Sequence, residues 1–247
     1  MDLELGGRTA IVCGGSAGIG LGIAEALAEE GANLVLFARR PDVLEREAKR
    51  LGALAVPGDV TVGTDLERLV RTTVEAHSGV DIVINNSGGP PRTSALELDE
   101  LNIPDAVQLM LVSAVRLTSL CLPYLEQSAC GRIVNVTSST VREPVENLAL
   151  SNAVRPGVVG WAKTLARELG PKGITVNSIA PGRIDTARIR EVYPDGPTEA
   201  DLTTIPLRRL GTPREIGDLV AFLCSERAAY ITGTVISVDG GLARGIL

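Results

Sequence analysis

The sequence predicts an α/β fold: a single domain built on a doubly wound parallel sheet of about seven strands, with helices on both faces. Three observations carry that prediction. Short apolar runs alternate with helical patterns along the whole chain, as parallel strands joined by right-handed crossovers require. The first apolar run ends in glycines and leads straight into a helix. The remaining polar and glycine-containing segments fall just after strands, where ligands bind in sheets of this kind.

Taken in order, residues 9–13 (TAIVC) are apolar and partly β-branched and read as a buried strand. From Ile19 onward, Ile19, Ile23, Ala26 and Leu27 recur at helical spacing, so a helix begins where the glycines end. Residues 33–37 read as a strand, 41–51 as a helix, 53–56 as a strand and 66–77 as a helix. Residues 80–85 form the next strand, followed by a long helical region over about 103–127. Then come a strand at 132–136, a helix at 148–169, a strand at 174–179, a helix at 215–225 and a last strand at 235–238. Pro156 lies inside the 148–169 pattern and predicts a kinked or loosened turn.

Composition bounds the function. With 247 residues and 45% hydrophobic content the chain can bury a large core. A net charge of −6 with scattered basic residues shows neither a nucleic-acid footprint nor a basic membrane patch. No apolar run approaches the roughly 18 residues of a membrane span, and MDLELGGR lacks the features of a signal segment. Cys13, Cys121, Cys130 and Cys224 share no metal or redox spacing and read as free thiols of a reducing cytoplasm. The single histidine, His77, sits in a polar helix end and reads as a surface residue. Its isolation argues against histidine triads and zinc, and no metal site is expected.

The turn after the first strand holds Gly14, Gly18 and Gly20 in the spacing G-x-x-x-G-x-G, with Ser16, Ala17 and Ile19 between them. Glycine permits positive φ and lets an anion approach the backbone, while the new helix offers free N–H groups to a phosphate. After the second strand stand Arg39 and Arg40, with no acidic residue to take a ribose 2′-hydroxyl. An arginine there accommodates the 2′-phosphate of NADP, so NADP(H) is the expected cofactor and NAD(H) a possible one. After the third strand come Asp59, a carboxylate suited to an adenine amino group, and Val60. Asn86, Ser87 and Gly88 follow the fourth strand and can line a cofactor. Pro181, Gly182, Ile184 and Thr186 follow the sixth, where exposed backbone can meet an amide.

These segments together resemble the short-chain dehydrogenase/reductase family over essentially the whole chain. Cys13 to Gly20 resembles its TGxxxGIG loop, with cysteine at the usual threonine. Asp59-Val60, Asn85 to Gly88, and Pro181-Gly182 through Thr186 resemble its cofactor motifs, and Val238-Asp239-Gly240-Gly241 its C-terminal ending. The flavour is that of 3-oxoacyl carrier-protein reductases. The resemblance implies a Rossmann domain and hydride transfer between a nicotinamide and a carbonyl or alcohol of a small molecule. It also implies a homo-oligomer, expected as a tetramer through the apolar outer faces of the two long helices, and a mobile substrate loop over 187–206.

The family works with a Ser, Tyr, Lys and usually Asn set, and this chain departs from it. Ser138 matches the serine. Thirteen residues on, the tyrosine position holds Ser151, and four further the lysine position holds Arg155. Aligned through Leu111 and Leu117-Thr118, the asparagine position holds Met110. Serine is a far weaker acid than tyrosine, and arginine keeps the charge but cannot shuttle a proton. Ser138, Ser151 and Arg155 are the expected catalytic residues, Arg155 also as a contact to the nicotinamide ribose. Tyr193, in the 187–206 stretch, is the one tyrosine placed to swing in. Two readings stand open: an oxidoreductase with a non-standard proton donor, acting on a carbonyl such as a 3-oxoacyl thioester or on an activated double bond, and an NADP-binding sensor or partner subunit without turnover.

Overall fold

A computed structural model describes residues 2–193 and 195–245. Seven strands form one sheet in the order β3-β2-β1-β4-β5-β6-β7, every pair parallel. They are β1 (Thr9–Cys13), β2 (Asn33–Ala38), β3 (Leu54–Pro57), β4 (Ile82–Asn85), β5 (Arg132–Val136), β6 (Thr175–Pro181) and β7 (Val235–Val238). The helices are α1 (Gly18–Glu29), α2 (Pro41–Leu51), α3 (Gly63–His77), α4 (Asn102–Val107), α5 (Ser113–Leu125), α6 (Ala149–Leu169), α7 (Ala187–Val192), α8 (Glu199–Thr203) and α9 (Pro213–Cys224).

Alternation along each strand feeds two cores, because successive side chains leave opposite faces. Ala10, Val12, Leu34 and Leu36 join Ile23 and Leu27 of α1, Leu44 of α2 and Val220 of α9 on one face. Ile11, Val35, Phe37 and Val83 join Leu66 and Leu69 of α3, Leu117 of α5 and Ala162 of α6 on the other. The strand order reverses between β1 and β4, so a crevice opens at their carboxyl ends.

The predicted elements are all present, with ends moved by a few residues; α3, for example, begins at Gly63. Two features differ. The long helical region is not uniform: a π-helical turn, Gln108–Val112, separates α4 from α5 and has Met110 at its centre. Helix α6 covers the predicted span with Pro156 inside it on the exposed side. The 187–206 stretch is not irregular throughout but carries the short helices α7 and α8; Pro194 lies outside the described residues.

One expectation about apolar runs is corrected. Asn102–Leu125 is, at 24 residues, long and apolar enough to cross a membrane by length and composition. Interruptions by Gln108, Ser113 and Arg116 hide this in the linear sequence. Its inner side, through Leu117, Cys121 and Leu125, packs on the sheet as a core helix does. His77 ends α3 half-buried, and all four cysteines are free and buried.

Candidate active site

The glycine turn is held closed by contact. Gly14 and Gly18 have φ of +63° and +55°, and a Cβ on Gly20 would lie 2.2 Å from the Gly14 carbonyl oxygen. The strand-to-helix turn therefore folds this tightly only with glycine at these positions. Asn86 Nδ2 donates to the Cys13 carbonyl at 3.1 Å, tying the loop after β4 to the end of β1 across the crevice. Ala17 caps α1 without any side-chain hydrogen bond, which leaves the first N–H groups of the helix for a ligand. Ser16 is buried, Ile19 half-buried and Gly20 buried beneath the turn.

The other segments converge on the same crevice. Arg39 and Arg40 are exposed at the end of β2, and neither forms an ion pair among the described residues. One Asp59 carboxylate oxygen accepts from the Thr61 amide and hydroxyl at 2.9 and 2.8 Å, which fixes its direction. Val60, Asn86 and Ser87 line a cavity together with Met110, Val136 and Arg155, and Gly88 is exposed beside it. Pro181 ends β6. A Cβ on Gly182 would lie 2.6 Å from Asp239 Cβ, so the chain can turn there only as glycine. Ile184 is buried, and Thr186, the N-cap of α7, approaches Gly18 closely enough that a Cβ there would stand 3.3 Å from its methyl.

At the end of β5 the matching Ser138 meets the two altered positions of α6, Ser151 and Arg155. Ser138 Oγ accepts from the Thr140 amide at 3.2 Å, capping a short 3-10 turn, Ser139–Val141. Ser151 Oγ lies 3.2 Å from Thr140 Oγ1 and accepts from Arg155 Nε at 3.1 Å. Arg155 Nη1 donates to the Val136 carbonyl at 3.1 Å. Ser138 and Arg155 are thus linked through Thr140 and Ser151 in one hydrogen-bonded chain. Ser151, 4% exposed, has its hydroxyl committed to orienting the guanidinium. Burial pushes the Arg155 pKa down to about 10, still well above neutral pH, so its charge is kept. It has no carboxylate partner among the described residues.

Sequence reasoning missed several members. Thr140 is the bridge between Ser138 and Ser151, and only its place in the Ser138-Ser139-Thr140 run hinted at it. Asn135, 1% exposed, accepts from Asn85 Nδ2 at 2.9 Å, while its own Nδ2 has no partner. Tyr193 is not brought in: its ring lies under Arg183, 6.0 Å from centroid to guanidinium carbon. Among the described residues no cluster of three or more His, Cys, Asp or Glu could hold a metal.

Residues 14–243 match the family model described as Enoyl-(Acyl carrier protein) reductase. The chain belongs to the short-chain dehydrogenase/reductase family. Among its relatives is the 3-oxoacyl-acyl-carrier-protein reductase FabG of Vibrio cholerae, 37% identical over 98% of this chain and 99% of that one. Two solved members of the family superpose closely. L-sorbose reductase from Gluconobacter frateurii, complexed with NADPH and L-sorbose, matches with TM-score 0.94 at 30% identity over 100% of both chains. An NADPH-bound short-chain oxidoreductase from Pseudomonas aeruginosa PAO1, described as containing an atypical catalytic centre, matches with TM-score 0.91 at 30% identity. That match covers 96% of this chain and 97% of the other.

Proposed function

We propose that this family member is an NADP(H)-dependent oxidoreductase acting on the carbonyl or the activated double bond of a small molecule, with a non-standard source of the proton. The observation that carries the reading is the meeting, in one crevice, of an uncapped helix N-terminus behind the Gly14–Gly20 turn with the Ser138–Arg155 cluster. The residues present fit a dinucleotide. Backbone groups from Gly14, Ser16, Ala17, Gly18, Ile19 and Gly20 take the pyrophosphate. Arg39, with Arg40 beside it, takes the 2′-phosphate, and Asp59 and Val60 the adenine side. Asn86, Ser87 and Gly88, with Pro181, Gly182, Ile184 and Thr186, line the nicotinamide half. The NADPH seen in the Gluconobacter and Pseudomonas proteins supports this choice of cofactor.

When bound, NADPH supplies a hydride. Ser138 already accepts from Thr140, so its own O–H proton is free to donate to a substrate oxygen and hold it in place. Ser151 acts on Arg155 and not on substrate. The Vibrio relative supports a 3-oxoacyl thioester as one carbonyl substrate to try. The whole chain works as one domain, with the α7–α8 stretch over the substrate side, and the four free buried cysteines suit a reducing, cytoplasmic setting.

Nucleotide fluorescence titration tests the cofactor. NADPH is expected to bind at least tenfold more tightly than NADH, about 1.4 kcal/mol, with Arg39→Asp reversing the order. Tighter NADH binding by the unmodified protein overturns the assignment. NADPH binding without consumption of any carbonyl or enoyl thioester in a substrate panel would leave the sensor reading instead.

A further inference from the structure

Resting on the oxidoreductase reading, we infer that Arg183 selects the substrate, and that the substrate is an oxo acid, a carbonyl compound that also carries a carboxylate. Strands β5 and β6 are neighbours, in register at Val136 and Ile179, so the turn after β6 opens next to Ser138. Past Gly182 the chain stays extended. The Arg183 carbonyl accepts from the Gly211 amide at 3.0 Å, and the Asp185 amide donates to the Gly211 carbonyl at 2.8 Å. Ile184 turns into the core on the side of α1 and α9, so Arg183 turns the other way, toward the α7–α8 stretch.

There Arg183 is half-buried and held in one direction. Its Nη1 donates to the Asp201 carbonyl at 2.9 Å, and its guanidinium carbon lies 6.0 Å from the centre of the Tyr193 ring. Nε and Nη2 donate to no group among the described residues, and no carboxylate there forms an ion pair with this cation. These two nitrogens share one edge of the planar guanidinium, the edge that takes both oxygens of a carboxylate in parallel hydrogen bonds. The acids nearby are engaged elsewhere: Asp185 with Arg190, Asp201 with the amide and hydroxyl of Thr198, and Asp239 with the amides of Gly241 and Ala243. Arg188 adds a second cation on this side, reaching from α7 to the Pro90 carbonyl at 3.0 Å.

Ser138 and Arg183 then divide the substrate between them. The serine hydroxyl holds the carbonyl oxygen, and the free edge of Arg183 holds the carboxylate. Held at both ends, the substrate presents its carbonyl carbon in one orientation. A neutral ester or thioester offers the guanidinium one weak acceptor and no opposite charge, so the free acid is preferred.

Calorimetric titration of the full chain saturated with NADP+ tests this, using pyruvate, acetoacetate and levulinate and the methyl ester of each. The three acids set carbonyl and carboxylate at increasing separation. Expected is binding of at least one acid about tenfold or more tighter than its own ester. Arg183→Gln should weaken that acid about tenfold or more and leave the ester within about twofold, with part of the loss recovered in Arg183→Lys. Arg190→Gln removes a cation that is paired with Asp185 in the same segment, and should change neither. If no acid binds more tightly than its ester, or if Arg183→Gln weakens acid and ester alike, the assignment is overturned. NADPH consumption with neutral carbonyl compounds only, unaffected by Arg183→Gln, keeps the oxidoreductase reading and overturns this one. Failure of NADP+ itself to bind is a different result, which takes the cofactor reading and this one with it. Should Arg183→Gln not fold, Arg183→Lys decides, and an acid-to-ester ratio equal to that of the unmodified protein overturns the assignment.

Discussion

Arg155 concentrates the individuality of this molecule in one side chain. The change from a helix face carrying a long acid to one carrying Ser151 and Arg155 leaves room for the guanidinium to fold back along α6 onto the 151 position. Its charge gives a pH signature of definite sign. Arg155 is protonated below its pKa, which burial has lowered to about 10, so its contribution to NADPH affinity should be flat through neutral pH and be lost as pH rises through about 10. Among the described residues the other titratable group lining the cavity is Cys13, whose thiol burial raises to about 12. The NADPH affinity profile against pH, set beside that of Arg155→Ala, checks this. A drop already complete near neutral pH would point to another group.

At the scale of elements, the crossing of α1 and α9 depends on two glycines. A Cβ on Gly217 would lie 2.2 Å from the Gly22 carbonyl oxygen, and one on Gly22 would lie 2.5 Å from the Pro213 carbonyl. The helices pack backbone to backbone, which brings Ile216 and Val220 down onto the β1 side of the sheet. Gly217→Ala must push them apart, at an expected cost of about 1–3 kcal/mol or more. For a chain this size that lowers the melting temperature by roughly 2–12 °C. Gly160 is the control: it lies in α6 with nothing within 4 Å of its would-be Cβ, and alanine there should be neutral or stabilising. Equal melting temperatures for the two variants would show that the α1–α9 contact relaxes freely.

The whole molecule presents apolar surface that its own sheet does not cover. In and beside α5, Leu109, Leu111, Val115 and Leu120 remain half-buried, as do Val159, Trp161 and Leu165 on α6. The opposite sides of these helices are already packed on the sheet through Leu117, Cys121, Ala162 and Ala166. A second copy laid across α5 and α6 about a twofold axis would cover the outer stripe. The assembly is proposed as a homotetramer. Light scattering at micromolar concentration should return four times the 25.8 kDa chain mass. A monomer mass would refute it, and a dimer would limit the contact to one twofold.

What the sequence determined by itself is the architecture and the address of the site. Periodicity of two and of 3.6 residues depends only on local chain geometry, so strands and helices could be placed from Thr9 to Val238 with small errors at their ends. The carboxyl-end rule places the glycine turn, Arg39, Asn86 and Thr186 at one edge of the sheet from sequence alone. The π-helical turn at Met110 was not legible, because an extra residue per turn leaves the apolar pattern nearly unchanged. Tertiary structure alone decided what the altered residues do. Spacing put Ser151 and Arg155 side by side, but their division of labour depends on Thr140 and the Val136 carbonyl, which arrive from β5 and the turn after it. Hydrogen bonds between distant segments are set by packing in three dimensions, and no local pattern encodes which nitrogen of a buried arginine is left over.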